Sequence, residues 1–308
     1  MTDKWRKKQT MRGNKSYLRR WISFALLLAV VLSGMPAQSA QAAGRPKTVA
    51  HAYYVLDAQS GKKILSSHAG DKIYPASTVK LMTALVVLEH AKTNQTFTYT
   101  KQLKKKIPAD ASSLNLKVNR TYTVLQYLHM LLIVSDAASA TTLAEGVAGS
   151  QKQFVAWMNE KAAQLGMKHT SFDNPIGLDK GSGYNNTYTT ASDFGKLSKA
   201  AMENKTIRAI VAKKKYKVRP VGVRKSFVIQ NTNAFYSTYK KLVKHADYRI
   251  IGSKTGTTRA AGHALVATAV DTSGHEVICA FYGKADSERM YRDIKKLLDY
   301  AFSQYNVR

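Results

Sequence analysis

Apolar residues occupy nearly every position from residue 79 to residue 88, with no Pro or Gly before Glu89. A run that is apolar on all sides marks a buried helix rather than a surface one. Pro75, just ahead of it, suits a first turn because that position needs no N–H. Before this run, residues 52–56 and 62–65 alternate in the manner of strands around Asp57-Ala58-Gln59-Ser60-Gly61, a turn-forming sequence. After it, residues 91–121 are polar and basic, without long periodic runs, and Lys104, Lys105 and Lys106 read as a solvated face. Thr123-Val124-Leu125-Gln126 has the form of a capping box. It opens a helix carrying Leu125, Leu128, Leu131 and Leu132 that stops near Val134-Ser135. A second helix spans 137–147 and ends at Gly149. Phe154, Trp157, Met158, Ala162 and Leu165 give a third, closed by Gly166. Thr190-Ala191-Ser192-Asp193 caps a fourth, with Phe194 and Leu197 facing inward. From about residue 214 the period changes to that of strands, over 216–218, 226–229, 249–251, 263–270 and 276–282. The turn Asp271-Thr272-Ser273-Gly274-His275 joins the last two. A final helix runs from Ser287 to about Gln304. The pattern predicts an α+β fold: an antiparallel sheet made by the first hairpin and the last strands. The terminal helix covers one face, and an all-helical subdomain (about 90–210) covers the other.

The first 42 residues stand apart. Lys4, Arg6, Lys7, Lys8, Arg12, Lys15, Arg19 and Arg20 precede an apolar run over 21–32, which Gly34 and Pro36 break before Ala40-Gln41-Ala42. A basic stretch, a short apolar core and an Ala-x-Ala site make a secretory signal. The apolar run is short for a membrane span; an uncleaved anchor is the alternative. The expected organisation is a signal peptide over 1–42, cut after Ala42, and one domain over 43–308. The whole chain carries a net charge of +29. Removing the leader, with eight Lys/Arg and one Asp, leaves 40 basic and 18 acidic residues, a net +22. Such a surface suits a polyanion, and export argues for anionic cell-wall polymers over nucleic acid. The lone cysteine, Cys279, excludes an intrachain disulfide and reads as a small buried hydrophobe. Cysteine poverty and a long basic leader fit a Gram-positive bacterium.

Three short stretches carry candidate chemistry. Ser77 and Lys80 are three residues apart and therefore share one side of a helix. Burial disfavours an ammonium, so a lysine there can lose its proton and accept one from the serine. By itself this spacing also fits an ordinary helix start with one snorkelling lysine. Lys254-Thr255-Gly256-Thr257, at the end of a predicted strand, offers a fixed positive charge, two hydroxyls and a glycine that lets backbone approach a ligand. Ser135 sits in the break between two helices. The eight histidines are scattered without metal-ligand spacing, so neither a metal nor another cofactor is implied.

Order and context together resemble the Ser-x-x-Lys acyl-transferases, the penicillin-binding proteins and serine β-lactamases. More closely, the chain is similar to the low-molecular-mass D-alanyl-D-alanine carboxypeptidases of peptidase family S11. The likeness extends over residues 50–305 and includes Asn174-Pro175-Ile176-Gly177-Leu178, Asn231-Thr232-Asn233 and Ala261-Gly262. It implies that Ser77 attacks the carbonyl between the terminal D-alanines of a peptidoglycan stem peptide, with Lys80 as base. The N–H groups of Ser77 and Thr257 would form an oxyanion hole, and Ser135 would relay a proton to the leaving D-alanine. Lys254, Thr255 and an arginine, Arg289 or Arg292, would hold the terminal carboxylate. β-Lactams would acylate Ser77. Two departures stand out. The second motif, Ser-x-Asn in the family, reads Ser135-Asp136-Ala137, which allows a degenerate, wall-binding protein as the alternative function. A β-lactamase is a further one, without a deacylating glutamate in a suitable loop. The second departure is that no β-rich domain or amphipathic anchor follows the catalytic stretch, so the basic surface is expected to retain the protein.

Overall fold

The computed structural model describes residues 44–305, and the expected signal peptide lies outside them. The chain opens with a hairpin of β1 (Ala52–Asp57) and β2 (Lys63–Ser67). A tight 3-10 turn, Ala76–Val79, then runs straight into α1 (Lys80–His90). Next, β3 (Thr96–Tyr99) and β4 (Arg120–Thr123) form a small ribbon around the short α2 (Lys101–Lys105). The helices α3 (Val124–Ile133), α4 (Ala137–Ala148), α5 (Gln151–Gln164), α6 (Ala191–Glu203) and α7 (Lys205–Val211) complete the helical block. A second ribbon of β5 (Lys215–Val218) and β6 (Phe227–Gln230) precedes β7 (Tyr248–Thr258), β8 (Gly262–Asp271), β9 (Glu276–Gly283) and the terminal α8 (Ser287–Ser303).

The main sheet is antiparallel with the order β2-β1-β9-β8-β7, so the first hairpin joins the last strands as the sequence pattern predicts. Both faces are covered, and period-2 alternation sorts the side chains between them. Ala52 and Leu56 of β1, Ala264 and Val266 of β8, and Ile278, Ala280 and Tyr282 of β9 pack toward the helical block. The intervening Tyr53, Val55, Leu265, Ala267, Val277, Cys279 and Phe281 pack with Met290, Ile294, Leu297, Leu298 and Ala301 of α8. Cys279 is fully buried, and burial raises its thiol pKa, as befits a small core residue.

Three features differ from the sequence expectation. The ribbon β3–β4 lies in the stretch that shows no periodic run, because its strands are four residues long and turn threonines outward. The β5–β6 pair forms its own ribbon and does not extend the main sheet. And β7 runs through Lys254, Thr255 and Gly256 to Thr258, so this motif is strand, not strand end. The capping box is present: Gln126 N–H donates to Thr123 Oγ1 at 3.2 Å and Thr123 N–H to Gln126 Oε1 at 3.0 Å.

Candidate active site

Ser77 lies in the 3-10 turn rather than in α1 itself, one short turn ahead of Lys80, the first residue of the helix. The turn is tight because Ala76 takes a left-handed backbone, φ 49°. That is a costly conformation for a residue with a Cβ, and it holds only where the surroundings enforce it. Thr78 Oγ1 donates to Pro75 O at 2.5 Å and closes the turn.

Lys80 Nζ lies 2.8 Å from Ser77 Oγ and donates to Ile176 O at 2.7 Å. The amine is fully buried, and desolvation lowers its pKa from 10.5 to about 7, with the Asp136 carboxylate pulling the other way. A base that is about half neutral near pH 7, in contact with a half-exposed hydroxyl, can take that hydroxyl's proton.

The carbonyl of Ile176 belongs to a loop that the Asn174 side chain holds in shape. Asn174 Oδ1 accepts from Ile176, Gly177 and Leu178 N–H, while its amide donates to Leu178 O at 2.9 Å. Thr83 Oγ1 donates to Pro175 O at 2.7 Å, which ties the loop to α1. Gly177 has φ 92°, and a Cβ there would stand 2.0 Å from Ala76 O. Only glycine lets the loop seat against the Ser77 turn.

From the other side, β7 presses on the same turn. A Cβ on Gly256 would lie 2.9 Å from Ser77 N and 3.0 Å from Ala76 Cβ. The close approach that Gly256 permits is therefore to the Ser77 turn. Thr255 Oγ1 is 2.7 Å from Thr232 Oγ1, and Thr257 Oγ1 is 3.3 Å from His263 Nδ1.

Ser135 follows α3 with φ 62°, in the left-handed region where glycine is the usual residue at a helix end. Asp136 N–H returns to Met130 O at 3.2 Å, and the buried Asp136 carboxylate caps α4 through Ser139 N at 2.7 Å. The same carboxylate accepts from Leu114 N and Ser113 Oγ, pinning the 112–114 segment beside the site. Lys254 Nζ donates to Ser135 Oγ at 3.0 Å and to Thr255 O at 2.7 Å. Lys254 is 1% exposed, and burial, with the nearby Lys80 charge, lowers its pKa well below 10.5. It is thus a buried partner of Ser135, at a position where the sequence offered a fixed positive charge.

A cleft of 340 Å³ opens over these groups, lined by Ser77, Ser112, Ser135, Thr232, Thr255, Gly256, Thr257, His263 and Tyr291 among others. The structure thus brings together Ser77, Lys80, Ser135, Lys254, Thr255, Gly256 and Thr257 from three separate parts of the chain. Arg289 does not join them: it pairs with Asp286 at 3.3 Å and lines a different cavity. Arg292 pairs with Glu288 on the exposed side of α8. Ala137 is fully buried, its N–H donating to Ser112 O at 2.8 Å, and it does not line the cleft. Sequence reading missed Ile176 O and Ser112, which act through backbone. It also passed over His263 and Asp136, whose only signals were a histidine seven residues after Gly256 and an acidic residue beside Ser135.

A helical block and a covered antiparallel sheet, with a serine–lysine pair between them, define a serine acyl-transfer enzyme of the penicillin-binding class. The family model for D-alanyl-D-alanine carboxypeptidase, peptidase family S11, matches residues 39–285, and the chain belongs to that family of serine-type carboxypeptidases. A D-alanyl-D-alanine carboxypeptidase of Streptomyces sp. strain K15 is 30% identical over 292 residues, 91% of this chain and 95% of that one. DacB2 of Mycobacterium tuberculosis, also a D-alanyl-D-alanine carboxypeptidase, is 31% identical over 260 residues, 84% of each. Among solved structures, the Streptomyces K15 DD-transpeptidase superposes with a TM-score of 0.76 at 28% identity, over 84% of this chain and 98% of that one. Among the described residues, no helix is long and apolar enough to cross a membrane.

Proposed function

We propose that this chain is an exported D-alanyl-D-alanine carboxypeptidase that trims peptidoglycan stem pentapeptides through an acyl-enzyme on Ser77. The observation that carries the reading is the contact of 2.8 Å between Ser77 Oγ and a buried Lys80 amine whose pKa is lowered to about 7. In this mechanism Lys80 takes the Ser77 proton as Oγ attacks the penultimate D-alanine carbonyl. The backbone N–H groups of Ser77 and Thr257 receive the developing oxyanion. Ser135, hydrogen-bonded to Lys254, relays the proton taken up by Lys80 to the leaving D-alanine nitrogen, which returns Lys80 to the neutral amine, and water then releases the acyl group with Lys80 again as base. Thr255, together with Thr232 beside it, binds the terminal carboxylate. Residues 43–308 form the catalytic domain, and residues 1–42 act as a signal peptide. The protein works at the cell wall, where its net positive charge holds it to anionic polymers.

A fluorescent penicillin and a D-alanine release assay test the reading together. The expected result is a covalent adduct on Ser77, lost in Ser77→Ala, with D-alanine released from a pentapeptide. An adduct that persists in Ser77→Ala would sink the nucleophile assignment. A degenerate wall-binding protein, the alternative, would take the label with little or no release of D-alanine. The K15 relative is described both as a carboxypeptidase and as a DD-transpeptidase, so transfer to an amine acceptor belongs in the same assay.

A further inference from the structure

Behind the Ser77 turn lies a second cavity, larger than the cleft itself at 690 Å³. Its lining includes His51, Lys72, Lys180, Lys284 and Arg289, and no aspartate or glutamate. Of the acidic residues nearest along the chain, Asp286 pairs with Arg289 of the lining at 3.3 Å, Asp71 pairs with His68 at 3.3 Å and Asp179 accepts from Thr258, which leaves Lys72, Lys180 and Lys284 as the lining cations outside the Asp286 pair. Two of the ammonium groups are held in place by aromatic rings. Lys72 Nζ stands 4.1 Å over the ring of Tyr188, and Lys180 Nζ 5.6 Å over that of Tyr74. Cation–π contacts of this kind restrain long side chains, so less order is lost when a ligand arrives. The floor is firm. Ile73 is buried and exchanges backbone hydrogen bonds with Thr189 at 2.8 and 2.9 Å. Tyr282, also buried, reaches Thr78 Oγ1 at 3.4 Å, which makes the cavity floor and the Ser77 turn one packed unit.

We infer that this cavity is a binding site for a multivalent anion, a segment of polymer bearing phosphate or carboxylate groups, which fixes the enzyme on the wall next to its substrate. The inference rests on the reading of the protein as a wall enzyme and localises the charge-based retention to one place. Several cations converging on a concave, acid-free surface raise the local potential well above that of scattered surface lysines. The cavity adjoins the catalytic turn without sharing the Ser77 cleft, so polymer and stem peptide can bind together.

The test uses the chain from residue 43 on and fluorescent inorganic polyphosphate as probe, read by anisotropy. The triple variant Lys72→Glu/Lys180→Glu/Lys284→Glu is compared with Lys101→Glu/Lys104→Glu/Lys105→Glu, which makes the same charge change on α2. The expected result is a loss of affinity of at least about tenfold in the first and much less in the second, at about 0.1 M salt where long-range charge is screened. Lys72→Gln/Lys180→Gln/Lys284→Gln, a milder change to the fold, is expected to fall between wild type and the Glu triple. Equal weakening in the two Glu triples, or no saturable binding by wild type, would overturn the site. Competition by polyphosphate alone assigns a phosphate polymer; equal competition by polygalacturonate extends the site to carboxylate chains. Penicillin labelling of Ser77 is measured in parallel. Its absence in wild type would remove the enzymatic reading while leaving the binding result standing, and its retention in the Glu triple shows that the variant is folded.

Discussion

Lys80 ties the chemistry of the site to pH. Its amine keeps a proton below about pH 7 when folded, against 10.5 for an ordinary lysine. Acylation of Ser77 by a β-lactam therefore rises with pH through about 7 and levels off above it, with roughly a tenfold fall per pH unit on the acid side. The same shift bears on stability. Between about 7 and 10.5 the unfolded chain binds a proton there that the folded chain does not. This group's contribution to stability thus rises with pH across that window and is constant below it. Asp136 raises the Lys80 pKa by its charge, so Asp136→Asn moves the rising limb of the pH profile to lower pH. A limb that stays in place would show that the base is not Lys80. The spacing of Ser77 and Lys80 was readable in the sequence because two residues one turn apart must meet. The state of Lys254 was not, since motif spacing along a strand says nothing about which way burial will drive a charge. Ala137 marks the same limit. Its sequence position suggested a missing amide in the cleft, but the side chain is enclosed beside Ser112. Ala137→Asn is accordingly expected to cost about 1–3 kcal/mol by overpacking without raising D-alanine release. Thermal melts and the release assay check both halves; faster release would mean that the natural enzyme is weakened at this residue.

At the scale of elements, the site is a sandwich of three backbones: the Asn174–Leu178 loop, the Ser77 turn and β7. Patterning found the loop, because Asn174-Pro175-Ile176-Gly177 is loop-forming, and only the start of β7, where Ile250 and Ile251 are β-branched. It could not find the contact in which the Lys80 side chain donates to the backbone carbonyl of Ile176, 96 residues away in the chain. The short ribbon β3–β4 escaped for a related reason: four-residue strands carry too little alternation to register. Gly177 tests the sandwich. Gly177→Ala meets both a positive φ and the Ala76 carbonyl, so it must shift the loop and draw Ile176 O away from Lys80. The expected stability loss is about 1–3 kcal/mol, with penicillin acylation slowed by at least about tenfold as the amine loses its fixed position. A variant that melts lower but acylates at the wild-type rate would show that the loop supports the fold without orienting Lys80.

For the whole molecule the governing quantity is charge. From residue 43 to the end the sequence carries a net +22. Ion pairs such as Lys106–Glu145, Lys161–Glu89 and Arg208–Glu276 use much of the limited carboxylate, which leaves most surface lysines facing one another through solvent. Self-repulsion of that size destabilises the compact state and is relieved by counterions. Raising the ionic strength from about 0.01 to about 0.15 M shortens the screening length from roughly 30 to 8 Å, below the spacing of many of these charges. The melting temperature is therefore expected to climb over this range in a simple chloride salt. Inorganic polyphosphate should produce the same rise at far lower ionic strength, because a polyanion that binds only the folded surface adds its binding energy to stability. Melts in chloride and polyphosphate, run on wild type and on the Lys72/Lys180/Lys284 variant, separate the two effects. Screening acts on both proteins, whereas the polyanion-specific rise should shrink in the variant. A melting temperature indifferent to chloride would mean that the excess charge is already neutralised within the fold, and the electrostatic account of wall retention would fail with it.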